Sequence, residues 1–219
     1  GKTFFSQKSY NNHIGVPLSL CNLESDHKYG VFEIGMSKIG EIRKLSSIVK
    51  PDIAIITNIG EAHIENFNNL NGIAKAKSEI IENINKDGYL ILNRDDKYFN
   101  YLSKLAKKKK IKVFSLGKTS KANARLIGIK KHNNYNDLHF RIFNKNIYLK
   151  LKNINPIIIS NILFTFLTIH ILALDFSKIK NFSNHLQMEA GRGKMQLISR
   201  YQKKFQFIDE SYNANPSSV

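Results

Sequence analysis

The chain has 219 residues, 42% of them hydrophobic and 23% charged, a composition typical of a globular protein that buries one substantial core. Its single cysteine, Cys21, excludes an internal disulfide and fits a reducing compartment. The formal charge of +17 allows a nucleic-acid partner, but the lysines are scattered without an arginine–aromatic pattern, so we expect a small anionic substrate and no nucleic acid.

Short apolar runs alternate with helical patterns through the first half of the chain. This alternation predicts an α/β fold in which a mostly parallel sheet is flanked by helices on both faces. The densest run of positive charge, Lys107–Lys110, is expected to be a solvated helix end. The predicted strands are 29–34, 53–57, 89–92 and 111–116, and the predicted helices are 40–49, 72–84 and 97–107.

The second half of the chain begins with a different pattern. Residues 138–142 and 147–151 each alternate apolar and polar side chains, and Asn144-Lys145-Asn146 lies between them. That pattern predicts an antiparallel hairpin, with a further strand near Arg125–Ile129. We therefore expect a small antiparallel β subdomain after the parallel sheet.

Residues Pro156–Leu174 form an uncharged stretch of 19 residues, long enough to suggest a membrane span. Asn161, Thr165 and Thr168 nevertheless form one polar stripe along it, and a proline suits the first turn of a helix. The stretch is therefore predicted to be a buried helix that turns one polar face toward a site. No signal peptide is recognisable, and we expect a soluble protein.

The last part of the chain predicts a hinge and the start of another unit. Gly191-Arg192-Gly193 is typical of a hinge, and strands are predicted at 195–199 and 205–208. We therefore expect one domain over residues 1–188 and the incomplete start of a second over residues 189–219.

Polar residues follow the predicted strands at the edge where ligands bind in open α/β sheets. Glu33 lies late in an otherwise apolar strand, Thr57-Asn58 follows another strand, and Asn93 follows a third. A buried carboxylate such as Glu33 needs a partner, and a metal ion would supply one. His63 follows a strand end as well, although a lone histidine is more often an ordinary polar group that is hydrogen-bonded within the fold.

Lys77 occupies an unusual place in the predicted helix 72–84. It shares a face with Ile73, Ile80, Ile81 and Ile84, whereas Lys75, Ser78, Glu79 and Glu82 are predicted to face solvent. An ammonium group on an apolar face must find an anion, lose its proton or be chemically altered. The simpler interpretation is a lysine whose ammonium reaches past the edge of the core.

The chain opens with Gly1-Lys2-Thr3, which matches the end of a phosphate-binding loop. In such a loop the lysine contacts terminal phosphates and the hydroxyl holds a magnesium ion. A tripeptide matches by chance often, but the sequence after Thr3 is compatible with a helix. We therefore expect a P-loop-type sheet whose phosphate loop is truncated on its N-terminal side.

The order of these segments resembles the Mur ligases. The strings NNHIGVPL and DESYNANP are similar to those of the members that join D-alanyl-D-alanine to a UDP-N-acetylmuramoyl-tripeptide. The matching segments are Gly1–Thr3, Tyr10–Leu20, Phe32–Ile42, Thr57–Phe67, Gly72–Ile80, Gly191-Arg192 and Ile208–Ser218.

This resemblance implies a cytoplasmic, monomeric, ATP-dependent ligase of peptidoglycan synthesis, with UDP-muramoyl tripeptide and D-alanyl-D-alanine as its substrates. It implies that residues 1–188 are the central ATPase domain and that residues 189–219 begin a Rossmann-like C-terminal domain. It also implies that ATP acts with Mg²⁺, as two ions, and that the chain alone is inactive.

The resemblance also implies roles for individual residues. Lys77 matches the lysine that the family carbamylates with carbon dioxide, which turns a buried cation into a carboxylate-like group beside magnesium. The other implied roles are phosphate or magnesium contacts for Gly1, Lys2 and Thr3, metal ligation by Glu33 and His63, adenine contact by Asn161, nucleotide contacts by Arg192 and Glu210, and substrate contacts by Asn11 and Asn12.

Two other functions remain open from the sequence. Folylpolyglutamate synthases share the expected ATPase fold and ligate glutamate to folates, although the DESYNANP string argues against them. A non-catalytic nucleotide-binding module is the second alternative, because the phosphate loop is incomplete.

Overall fold

The computed structural model describes residues 2–61, 64–152, 154–177 and 194–209. The strands are β1 (Lys2–Phe5), β2 (His27–Val31), β3 (Ile53–Ile56), β4 (Tyr89–Asn93), β5 (Lys112–Leu116), β6 (Ala124–Lys131), β7 (Asn136–Ile142), β8 (Lys145–Leu151), β9 (Lys194–Arg200) and β10 (Lys203–Asp209). The α-helices are α1 (Gly15–Cys21), α2 (Glu41–Val49), α3 (Leu70–Ser78), α4 (Phe99–Lys108) and α5 (Pro156–Ile171), and short 3₁₀ helices cover Ile64–Asn66 and Glu79–Asn83.

Six strands form one mixed sheet in the order β3-β4-β5-β6-β7-β8. The pairs from β3 to β6 are parallel, and the pairs from β6 to β8 are antiparallel. The α/β class is confirmed. The predicted antiparallel strands are also present as β6, β7 and β8, and the pairing of Leu116 with Ala124 joins them to the parallel strands in one sheet.

Two hydrophobic cores cover opposite faces of this sheet, because successive side chains of a strand point to opposite faces. Ile91 of β4 belongs to the core that packs against α5, whereas Leu90 and Leu92 belong to the core that packs against α4 and the second 3₁₀ helix. All three side chains are almost fully buried. β4 is therefore covered on both faces, as a parallel strand in an α/β sheet should be.

Two smaller sheets complete the described residues. β1 and β2 pair in parallel as a two-stranded sheet, and β9 and β10 form an antiparallel hairpin. The strand predicted over 29–34 is shifted toward the N-terminus, because β2 ends at Val31. The two strands predicted beyond residue 194 are both present.

The long apolar helix begins where its sequence predicts. Asn155 caps α5 by accepting a hydrogen bond from the Ile158 N–H at 2.7 Å, and Pro156 occupies the first helical position. The helix ends at Ile171, before the predicted end at Leu174. Among the described residues, no helix is both long and apolar enough to cross a membrane.

Candidate functional site

The loops that follow β3 and β4 meet at the carboxyl edge of the sheet, and Asp96 joins them. Its Oδ2 accepts a hydrogen bond from the Ile59 N–H at 2.8 Å, and its Oδ1 accepts one from the Tyr98 N–H at 2.7 Å. Because each carboxylate oxygen is bound by a backbone donor, the loop after β3 is held against the start of α4.

Lys77 reaches this edge from α3. Its half-buried side chain donates a hydrogen bond from Nζ to the Asn58 carbonyl oxygen at 2.8 Å. Burial lowers the pKa of Lys77 below its usual 10.5, and the negative charge of Asp96 opposes that shift to a smaller extent. Lys77 is therefore a partly desolvated cation, as its place in the helical pattern predicts.

The start of α3 is fixed by local contacts. Asn69 caps the helix by accepting a hydrogen bond from the Gly72 N–H at 3.1 Å. Gly72 has no room for a side chain, because a Cβ there would lie 2.4 Å from the Phe67 carbonyl oxygen. The Tyr98 hydroxyl donates to Asn71 Oδ1 at 2.7 Å, which ties α3 to the loop that carries Asp96.

We expect the Nζ of Lys77 to titrate with a midpoint below 10.5. Since burial disfavours the ammonium in the folded chain, the unfolded chain binds more protons between the lowered midpoint and 10.5. The free energy of unfolding should therefore rise with pH across that window. Asp96→Asn removes a charge that favours the ammonium, so it should lower the midpoint further.

Heteronuclear NMR on ¹⁵N-labelled lysine measures the midpoint in the wild type and in the Asp96→Asn variant. A wild-type midpoint at or above 10.5, or an upward shift in the variant, would contradict the proposed environment of Lys77.

The apolar face predicted around Lys77 is confirmed, since Ile73, Ile81 and Ile84 are buried. The opposite face is partly wrong, because Ser78 and Glu79 are buried although both were predicted to face solvent. The Glu79 carboxylate accepts hydrogen bonds from the N–H groups at the start of α2, where an anion satisfies unpaired donors and the helix dipole. The predicted helix also ends earlier, because the chain after Ser78 tightens into a 3₁₀ helix.

Glu33 lies outside β2, and its side chain is exposed, so its predicted place inside an apolar strand is wrong. Its carboxylate Oε1 accepts a hydrogen bond from Asn11 Nδ2 at 2.7 Å. The Gly35 N–H donates to the Asn11 carbonyl oxygen at 2.7 Å. The structure thus brings together Glu33 and Asn11, predicted as a metal ligand and a substrate contact respectively.

Asn12, the second predicted substrate contact, holds the start of α1. Its Oδ1 accepts hydrogen bonds from the N–H groups of Ile14 and Gly15 at 3.0 and 2.9 Å. Since the oxygen is used for capping, the Nδ2 group is the part of this side chain that remains to contact a substrate.

Lys2 and Thr3 lie in β1, so the sequence after Thr3, although compatible with a helix, continues as a strand to Phe5. A phosphate loop needs backbone N–H groups gathered at a helix N-terminus, whereas residues 2–5 are extended and pair with β2. The Lys2 Nζ donates to Glu24 Oε2 at 2.7 Å and also contacts Asp26. The geometry therefore does not support a phosphate loop at these residues.

Asn161 lies exposed on α5, and the side chains of Ile162 and Leu163 beside it are buried. Thr165 Oγ1, one turn later on the same helix, donates to the Asn161 main-chain carbonyl oxygen at 2.9 Å. Four other predicted site residues, Gly1, His63, Arg192 and Glu210, lie outside the described residues, as does the predicted domain boundary at 188/189.

Two residues that organise this edge, Asp96 and Tyr98, were missed at the level of sequence. The signal was present for Asp96, because Arg94-Asp95-Asp96 directly follows β4 and strand ends are where polar site residues collect. Asp95 also orders this edge, since its Oδ2 accepts a hydrogen bond from the Lys118 N–H at 2.9 Å. The edge therefore combines one partly desolvated amine with two carboxylates held by backbone donors.

Known proteins resemble this chain in both sequence and fold. The Mur ligase middle domain family matches residues 1–169. The UDP-N-acetylmuramoyl-tripeptide–D-alanyl-D-alanine ligase of Rickettsia prowazekii is 35% identical over 217 residues, which are 99% of this chain and 47% of that protein. The enzyme of the same name from Buchnera aphidicola subsp. Baizongia pistaciae is 32% identical over 226 aligned residues, which cover 100% of this chain and 46% of that protein.

A crystal structure of MurF from Acinetobacter baumannii superposes with a TM-score of 0.87 at 28% identity, over 99% of this chain and 46% of that one. The chain thus spans about half the length of the relatives that it matches. The family match covers well over half of the chain and agrees with the fold. The chain belongs to the Mur ligase family.

Proposed function

We propose that this chain is the nucleotide-binding part of an ATP-dependent amide-bond ligase of peptidoglycan synthesis. The ligase joins D-alanyl-D-alanine to a UDP-N-acetylmuramoyl-tripeptide in the cytoplasm. The observation that carries this proposal is the half-buried amine of Lys77 at the carboxyl edge of the sheet, in a chain of this family. The names of the relatives support the substrate pair.

The proposed reaction has two steps. The terminal carboxylate of the tripeptide attacks the γ-phosphate of ATP, which forms an acyl phosphate and releases ADP. The amine of D-alanyl-D-alanine then attacks the acyl carbonyl carbon, and the tetrahedral adduct collapses to an amide, inorganic phosphate and one proton. The protein contributes mainly by placing the reactants in line and by neutralising negative charge.

The oxygen chemistry of Glu33 supports the proposed magnesium site. Magnesium prefers oxygen ligands, and Glu33 offers a carboxylate that Asn11 orients. Lys77 as an amine is no ligand, but its neutral form can attack carbon dioxide, lose one proton and become a carbamate with two oxygens. We assign Glu33, His63 and carbamylated Lys77 to hold magnesium, which when bound would neutralise phosphate charge.

The remaining residues have positioning roles in this proposal. Asp96 fixes the loop after β3, and the Asn58 carbonyl directs the Lys77 side chain toward that loop. Asn161 on α5 contacts the adenine. Arg192 and Glu210 approach the nucleotide from segments beyond residue 177, and Asn11 and Asn12 contact the muramoyl substrate. Lys2 and Thr3 receive no phosphate role, because they lie in a strand.

The acceptor requirement of ADP release tests this function in the intact protein. Steady-state ADP release over many turnovers should require ATP, magnesium, the UDP-muramoyl tripeptide and D-alanyl-D-alanine together, because the acyl phosphate formed with the first ADP is consumed by the acceptor amine. Release that depends on glutamate and a folate would instead favour a folylpolyglutamate synthase. The other alternative is a non-catalytic module, and calorimetry with Mg-ATP tests it. Absence of magnesium-dependent ATP binding would favour that module over a ligase.

A further inference from the structure

A basic groove lies beside α4, on the face of the sheet opposite α5. This α4 groove has a volume of about 760 Å³ and is lined by residues of α4 and by Val113 and Ser115 of β5. Its cationic lining residues are Arg94, Lys104, Lys107, Lys108 and Lys121.

The charged side chains that line the α4 groove are all positive. The residues that line it include five cations and no aspartate or glutamate. None of the four lysines forms an ion pair with a carboxylate in the described ranges, whereas Lys2 and Arg43 do. The positive charges repel one another when the groove is empty. Because all of them line one concave surface, each would attract an anion bound there.

The groove also holds polar groups in defined positions. The Arg94 guanidinium lies over the Phe99 ring, 4.8 Å from its centroid, and both residues line the groove. Asn123 Oδ1 accepts a hydrogen bond from the Ser115 N–H at 2.8 Å. That contact orients the Asn123 amide and leaves its two Nδ2 hydrogens as donors.

The α4 groove is separate from the proposed nucleotide site. Val113 and Ser115 of β5 line the groove, whereas Phe114 between them packs against the core under α5. Neither Lys77 nor Asn161 lines the groove. A ligand in the groove would therefore occupy the other face of the sheet from α5 and the proposed adenine contact.

We propose that the α4 groove binds a small polyphosphate anion. Lysines, an arginine and amide donors are the groups that proteins use for phosphate oxygens, and the groove is large enough for several linked phosphates. A single-stranded nucleic acid would also need free aromatic faces for its bases, but the one aromatic ring that lines the groove, Phe99, is covered by Arg94. The run at Lys107–Lys110, expected to be merely solvated, thus gains a binding role at two of its lysines.

The test is an NMR titration of the chain with sodium tripolyphosphate at physiological salt. Saturable shifts should appear at the amides of Ser103, Lys104 and Asn123, and inorganic phosphate should bind more weakly at the same amides. The triple variant Lys104→Gln, Lys107→Gln, Lys121→Gln should weaken binding by about tenfold or more, because each charge-assisted hydrogen bond contributes substantially.

The matched control is Lys44→Gln, Lys86→Gln, Lys204→Gln, which removes the same charge from exposed lysines outside the groove. It should change tripolyphosphate affinity by less than about twofold.

Equal weakening of tripolyphosphate binding by both triple variants, amide shifts centred on Lys77 instead of Ser103, or no saturation of those shifts would overturn the proposal. So would tighter binding of an oligonucleotide at the same amides. An inactive ligase with intact tripolyphosphate binding would contradict only the proposed function, so the two failures are distinguishable.

Discussion

Replacing Lys77 by arginine is expected to lower the turnover of the intact ligase by about 10²–10³-fold, the usual effect of removing a preorganised charge-stabilising group. Arginine keeps a positive charge but cannot form a carbamate, because its guanidinium stays protonated at neutral pH. Lys77→Ala should lose a similar factor. Steady-state ADP release with D-alanyl-D-alanine as the acceptor measures both variants.

The matched control for this prediction is Lys75→Ala. Lys75 lies two residues earlier on α3, but its side chain is exposed, so the variant should retain turnover within about twofold. Near-normal turnover of Lys77→Arg would show that Lys77 acts through its positive charge and would exclude the carbamate. Independently of turnover, ¹³C NMR with labelled carbon dioxide should show a carbamate signal in the wild type that is missing in Lys77→Arg.

Replacing Glu79 by alanine is expected to lower the free energy of unfolding by about 3 kcal/mol, because two backbone donors at the start of α2 would lose their shared, buried acceptor. The Glu79 carboxylate accepts from the Gly40 N–H at 2.8 Å and from the Arg43 N–H at 3.1 Å. It also lies 3.7 Å from the Arg43 guanidinium, and its side chain is only 3% exposed. Chemical denaturation followed by circular dichroism measures the change.

Glu82→Ala is the matched control for the Glu79 prediction. Glu82 pairs with the same Arg43 side chain at 2.8 Å, but both side chains of that pair are about half exposed. An exposed pair contributes about 0–1 kcal/mol, so the control should unfold at nearly the wild-type denaturant concentration. A loss for Glu79→Ala no larger than that of the control would show that the buried carboxylate does not hold the start of α2.

The two predictions separate function from stability within one short segment. Lys77 and Glu79 are two residues apart, yet Lys77 contacts the loop after β3 whereas Glu79 contacts the start of α2. Lys77 variants should therefore lose turnover without a matching loss of stability, and Glu79→Ala should lose stability first.

The elements of the sheet were largely predictable from sequence, because each depends on a local pattern. Apolar runs marked β3, β4 and β5, and the polar stripe with its first-turn proline marked α5. Gly1-Lys2-Thr3 misled for the opposite reason, since three residues carry too little pattern to distinguish a phosphate loop from a strand. The pairing of β1 with β2, not the local sequence, sets the conformation of that segment.

The sequence by itself determined the α/β class, the family and the unusual position of Lys77, because periodicity and motif strings are local properties. Only the tertiary structure decided which anions meet which donors. Glu79 and Gly40 are 39 residues apart, and Asp96 and Ile59 are 37 apart, so neither contact leaves a periodic signal. The basic groove beside α4 arises in the same way, since the fold places Arg94 and Lys121, which lie outside α4, beside the three lysines of that helix.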